Sequence, residues 1–409
     1  MIDIHVIVIT FLFLSLFSGL FMIPTHAENA KDMVVSIKQI TNNKSVEKGD
    51  PITYKDKILW EDGRNDPNGN ITYNANSDIY LFNTTTGMET QITGSEYPEG
   101  PGSLWENNLI YYNGSPYYAD PVLTYYNLLT KEKKNLTTKS AGTAVIWRND
   151  VAYYRFDWIN KKEDANIYLF NISTDQEIPI CTAQGDQLFP LMWGNFIVWQ
   201  DNRNNNSDVF GYDINLNKEF VIAIGPGPQS PDSIWEDVLL YYNNGSFVLY
   251  NLTTKSIIQK IPHGIYVNRI WGDFLIGNYF NNGTVTIYRI STNTSYIENI
   301  QGPTNGIISS FYYDRAVYAA GSSAGNFRNE IYLLEFKIPG IFPPGNGHDG
   351  NRTDDGEKKK IIIISVSAIS LSISAFIVSV IVMRRNHLML NHRMKREKRK
   401  HNRKTDRIK

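Results

Sequence analysis

Side chains able to do chemistry are few and scattered. The chain has seven histidines in 409 residues. His5 and His26 fall in an apolar leader, and His387, His392 and His401 in a basic tail, which leaves His263 and His348 for everything between. A histidine metal cluster needs several imidazoles, and a Ser-His-Asp relay needs one beside its nucleophile. Two isolated histidines suit neither, and His263, in KIPHGIY, reads as a turn residue. The run GSSAG, Gly321 to Gly325, matches a nucleophile elbow with Ser323 at its centre. That elbow needs a strand before it and a helix after it, whereas the strand-like EIYLL follows here. DPNGN, Asp66 to Asn70, spaces its oxygens as in the first half of a calcium loop. Ile71 and Ser77 then occupy the positions that require Gly and Glu. Asp62 with Arg64, and Asp201 with Arg203, read as structural ion pairs. Cys181 is the one cysteine, so there is no internal disulfide, and a buried thiol on an outer strand is expected. No catalytic residue, metal or cofactor is assigned. Carboxylate pairs suited to glycoside hydrolysis could converge from distant segments, but no local spacing would reveal them.

The other chemistry written in the chain is modification. Asn-x-Ser/Thr acceptors occur at Asn43, Asn70, Asn83, Asn113, Asn135, Asn171, Asn205, Asn244, Asn251, Asn282, Asn293 and Asn351. Most lie in predicted turns, and their number favours an exported glycoprotein.

A repeat positions these residues. IWEDVLLYY, anchored at Trp235, returns as LWENNLIYY at Trp105, IWRNDVAYY at Trp147, MWGNFIVWQ at Trp193 and IWGDFLIGN at Trp271. Weaker copies are TYKDKILWE at Tyr54 and YYDRAVYAA, anchored at Tyr313. Two apolar runs around a short Asn/Asp step read as a β-hairpin. The second run is apolar at consecutive positions, so it predicts a strand covered on both faces. A third strand follows, as in DIYLFN at Asp78 and NIYLFN at Asn166. A polar fourth comes next, as in ETQIT at Glu89 and EIPIC at Glu177. Four short strands in about 40 residues, repeated seven times, predict a seven-bladed β-propeller. The last copy lacks a fourth strand, and SIKQIT, Ser36 to Thr41, supplies one from the other end of the chain. Doubled tyrosines such as Tyr111/Tyr112 and Tyr241/Tyr242 could offer sugar-stacking faces. At least half must be core, because neighbours on a strand point to opposite faces.

Trp60 to Thr93 and Trp199 to Glu219 carry the most regular copies, WEDGRNDPNGN with SDIYLFNTTTGMETQIT, and WQDNRNNNSDVFGYDINLNKE. They resemble the repeats of TolB-type propellers, and more closely those of predicted surface proteins from methanogenic archaea. The resemblance covers about Val35 to Ile338. It implies the fold and leaves function open, since such propellers scaffold many roles.

The ends of the chain set its expected place. Residues 1–27 read as a signal peptide cleaved after Ala27. The lack of Lys or Arg at its start leaves an uncleaved anchor open. Residues 35–338 form the propeller ectodomain and 339–360 a Pro/Gly-rich linker. Residues 361–383 carry no charge and are long enough for a single transmembrane helix. The tail, 384–409, has twelve Lys/Arg against two acids, which places it in the cytoplasm and the propeller outside. It has neither a fold nor the interleaved aromatics that nucleic-acid readout needs. Taken together these features predict an all-β, membrane-anchored surface glycoprotein that binds a partner protein or cell-envelope polymer. The alternative is an ectoenzyme acting on glycans through acidic residues in the propeller channel.

Overall fold

The computed structural model describes residues 34–71, 75–114, 122–137, 141–159, 162–267, 269–277, 284–299, 306–312, 314–321 and 329–336. Among them, twenty-eight strands form seven antiparallel sheets of four. Six sheets take their strands in simple succession. Blade one, for example, runs Lys48–Tyr54, Lys57–Asp62, Asp78–Asn83 and Glu89–Gln91. The inner strands of the next six blades are Glu99–Trp105, Ala141–Trp147, Gln187–Trp193, Gln229–Trp235, Arg269–Trp271 and Gly306–Tyr312.

The seventh sheet closes the ring. Its outermost strand is Val34–Gln39, paired antiparallel with Asn329–Phe336 through Ser36↔Glu335, Ile37↔Leu334 and Lys38↔Leu333. The Ser36 hydroxyl donates to Glu335 Oε2 at 2.7 Å, and the Thr41 hydroxyl donates to Glu330. Both sheet edges that an open ring would expose at this seam are thereby paired. The expected clasp, Ser36 to Thr41, overlaps this strand, which starts two residues earlier and ends at Gln39.

The second strand of each blade has neighbouring sheets on both sides, which is why its apolar residues are consecutive. Ile58, Leu59 and Trp60 are all fully buried, as are Leu109, Ile110 and Tyr111. Of the doubled tyrosines, Tyr111, Tyr153 and Tyr241 are core, while Tyr112, Tyr154 and Tyr242 are half-buried on the opposite face. Tyr117 and Tyr118 lie outside the described residues.

The hairpin turn holds the residue after the anchor at positive φ. It is Lys55, Glu106, Arg148 or Glu236 in four blades (φ 52–57°), and Gly194 or Gly272 in two (58° and 53°). In the last blade the anchor position, paired with Arg315 across the turn, is Tyr312. The sequence expectation put the anchor at Tyr313, one residue later and outside the described residues. Strand register, rather than residue type, decides between two adjacent tyrosines.

Among the described residues no helix is long and apolar enough to cross a membrane. Residues 1–27, 339–360, 361–383 and 384–409 all lie outside the described set, as do Ser323, Asn282, Asn351 and His348.

Candidate functional site

The inner strands face a common axis, and their side chains define the site. At the hairpin end, the anchor residues form a closed circle. Tyr54, Trp105, Trp147, Trp193, Trp235, Trp271 and Tyr312 each contact the next, with centroids 3.5–5.8 Å apart, and Tyr312 returns to Tyr54. Successive planes are turned by 42–56°, close to one seventh of a turn. Each ring therefore keeps one orientation relative to its own blade, with its plane running along the axis. The repeat motif marked these residues, but their mutual contact could not be read from spacing.

A second regular contact stitches the inner strands together. Ser103 Oγ accepts the Ile146 N–H at 3.1 Å, Ser233 Oγ accepts that of Ile270 at 3.2 Å, and Ser310 Oγ accepts that of Thr53 at 3.2 Å. In all three the serine stands two residues before its blade's aromatic anchor, and the donor stands one residue before the next anchor. A serine at that offset was a readable signal that sequence reasoning missed.

Further along the inner strands the chain bulges. Asp50, at φ 45°, lies in the bulge of blade one, and Asp232 in that of blade five. The Arg269 guanidinium of blade six reaches both neighbours, lying 3.5 Å from the Asp232 carbonyl and 3.3 Å from that of Ser309. Burial pushes the Asp232 carboxyl up to about 6 against the pull of Arg269, and burial lowers Arg269 itself. Glu61, on the second strand of blade one, is pushed up to about 8. Burial is the main cause, and the charges of Asp50 and Glu47 add to it, while a 2.5 Å hydrogen bond from the Ser77 hydroxyl opposes it. Glu61 therefore carries its proton at neutral pH beside two other acids, an arrangement from which a proton can be delivered. Among the described residues no group of three or more His, Cys, Asp or Glu side chains is placed to hold a metal ion.

The remaining sequence candidates have structural partners. Trp60 Nε1 donates to Asp62 at 2.8 Å, and Asp62 in turn holds Arg64, which reaches Glu89 and stacks 3.8 Å from the Tyr80 ring. Trp199, Asp201, Arg203, Glu219 and Phe210 repeat this clamp in blade four. Blade three rebuilds it by another route: Arg155 joins Asp157 and Glu177 over Tyr168, without the Asp-x-Arg step. Cys181 is buried beneath the blade-four clamp, and burial pushes its thiol up to about 12. Asp66 accepts the backbone N–H groups of Asn68, Asn70 and Asn76, so its carboxylate is occupied by its own loop. His263 is exposed in a turn.

Glycosylation candidates fall into two groups. Asn43, Asn135, Asn205, Asn244 and Asn293 are exposed, while Asn70 and Asn113 are half-buried. Asn83, Asn171 and Asn251 end the third strands and cap the following turns. Their amide nitrogens donate to Asp56, Asp150 and Asp237 at 2.6–2.9 Å, and their amide oxygens accept turn N–H groups. Asn127, which is not an acceptor sequence, caps its turn in the same way. At these positions the Asn has a reason to be present that involves no glycan.

A polar cleft of about 510 Å³ opens between Gln184–Asp186 and the blade-four loop, where Asn202, Asn205 and Asn206 face it.

No protein-family model matches the chain, and no curated protein does. Solved structures do. An oligogalacturonate lyase in complex with manganese superposes with a TM-score of 0.55 at 11% identity, over 74% of this chain and 93% of that one. An oligogalacturonate lyase from Vibrio parahaemolyticus gives 0.52 at 11% identity, over 73% and 93%. A chain of a mitotic checkpoint complex gives 0.51 at 11% identity, over 76% and 94%. TolB from Acinetobacter baumannii also matches, at a TM-score of 0.40, too low to argue from. Proteins of such different kinds share the architecture alone, so the class is a seven-bladed β-propeller. At these identities the likeness stops at the fold.

Proposed function

We propose that the protein is a cell-surface binding module. Its propeller stands outside the membrane, residues 361–383 anchor it as one helix, and the basic tail lies in the cytoplasm. The observation that carries the binding reading is the asymmetry of the axis. Seven aromatic rings crowd its hairpin end, while Asp50, Asp232 and Arg269 lie further along the inner strands. Recognition then belongs to the far face, where loops such as those around the amide-lined cleft stand on rigid blades. The partner is a protein or a polymer of the cell envelope. The test uses the full-length chain in intact cells, with one tag inserted after residue 28 and one at the C-terminus, and protease added outside. The expected result is loss of the N-terminal tag's propeller fragment and protection of the C-terminal tag. Crosslinking to envelope components, followed by mass spectrometry, then identifies the partner. Protection of the propeller would overturn the proposal.

One observation favours a second reading, an ectoenzyme acting on glycans. Burial, with the charges of Asp50 and Glu47 added, pushes the Glu61 carboxyl up to about 8, so it holds its proton more readily than an ordinary carboxylic acid. Glycan cleavage by the purified protein, abolished by Glu61→Gln, would establish that reading in place of simple binding.

A further inference from the structure

Three junctions between blades have a buried polar contact at one recurring place. The start of a third strand in one blade meets the start of the next blade's inner strand. Between blades seven and one, Glu330 pairs with Lys48 at 3.3 Å, both nearly inaccessible, and the ammonium also donates to the carbonyls of Asn43 and Val46. Between blades four and five, Asp208 and Gln229 share the amide donor of Asn206, at 3.1 and 3.4 Å. Between blades one and two, Asp78 meets Glu99, and there both partners are acids.

Asp78 and Glu99 are each 1% exposed. One oxygen of Asp78 is supplied by Asn65 and Gln91, and one of Glu99 by the Ser95 N–H. The other two, Asp78 Oδ1 and Glu99 Oε1, are buried with no donor. The two side chains are nevertheless within hydrogen-bonding reach of each other. Two ionised carboxylates so placed repel in a medium of low dielectric, and two acceptors cannot bond without a hydrogen.

We propose that Asp78 and Glu99 share one proton, and that this proton is the latch between blades one and two. It takes the place that the Lys48 ammonium and the Asn206 amide fill at two other junctions. A carboxylic acid donating to a carboxylate satisfies both orphan oxygens at once. The surroundings agree. The other charged and titratable groups facing the pair are Asp62 with its partner Arg64, Tyr80 on the same strand, and Tyr111 beneath Lys133 in blade two. Arg64 is already engaged by Asp62 and Glu89. Burial raises the Asp78 carboxyl and its neighbour Glu99 raises it further, against the donation from Asn65. The folded state therefore holds a proton that the unfolded chain releases, so stability contributed by the pair is full in acid and declines as pH rises.

The test is thermal unfolding of the full-length chain from pH 4 to 8.5, comparing wild type with Glu99→Gln and, separately, with Asp78→Asn. Either amide supplies the missing hydrogen permanently, as Asn206 does elsewhere. Each variant should match wild type near pH 4 and exceed its Tm by about 2–4 °C at pH 8.5. Variants that fall below wild type at every pH would overturn the proposal. So would a rise in wild-type Tm on adding calcium chloride at pH 8.5 that Glu99→Gln abolishes, since a metal ion would then be the latch.

Discussion

Tyr54 of the first blade and Tyr312 of the last have their ring centroids 4.5 Å apart, and this contact completes a circle of seven aromatic side chains. The beginning and end of the propeller thus meet twice, once through the axial rings and once at the rim, where Val34–Gln39 pairs with Asn329–Phe336. A break in the circle should loosen the whole ring, because each blade is covered only by its neighbours. Trp271, 6% exposed, touches Trp235 and Tyr312. Trp271→Ala should cost about 3–5 kcal/mol, read from the midpoint of denaturant unfolding, and Trp271→Phe much less.

Glu61 makes stability depend on pH. Its folded carboxyl is raised to about 8, so the folded state retains a proton that the unfolded chain has lost. The sign follows: its contribution is complete below the ordinary Glu range and is lost as pH rises through about 8. Glu61→Gln should flatten the decline in unfolding midpoint between pH 6 and 9. An unchanged slope would show that Glu61 is ionised throughout.

Cys181 should be inert while the protein is folded. Burial pushes its thiol up to about 12, so almost no thiolate exists at pH 8, and the side chain is buried below Arg203. A thiol reagent should detect no cysteine in the native protein and one in denaturant.

Asn171 separates turn capping from glycosylation. Its amide holds Asp150 and its oxygen accepts the Thr174 N–H. Asn171→Ala should cost about 1–2 kcal/mol by removing the cap. Ser173→Ala destroys the same acceptor sequence and leaves the cap, so its cost in unglycosylated protein should stay within about 0.5 kcal/mol.

Glu236 sits at φ 52° in a hairpin turn where blades four and six have Gly194 and Gly272. A residue with a Cβ is strained there. Glu236→Gly should stabilise the protein by about 0.5–1 kcal/mol despite the added freedom of the unfolded chain. The equivalent Gly194→Glu should destabilise it, although a Cβ at Gly194 would meet nothing within 4 Å, so the cost is that of the backbone alone.

Some of this was legible from residue order and some was not. Consecutive apolar residues such as Val238, Leu239 and Leu240 announce a strand covered on both faces, because a one-faced strand would alternate. Their sevenfold return, with SIKQIT standing in for a missing last strand, fixes the blade number and the closure. Local patterns carry that information because each blade is built from neighbours in sequence. What the blades bring together across the ring is different. Asp78 and Glu99, and Arg269 and Ser309, meet only because successive sheets pack face to face, and no spacing rule links them. Arg155 occupies the place of Arg203 from another point in the chain, since a guanidinium can reach the same acids by two routes. Sequence periodicity determines which faces must be covered. Only the closed ring decides which polar groups are enclosed beneath them, and enclosure out of water is what turns ordinary acids into proton holders.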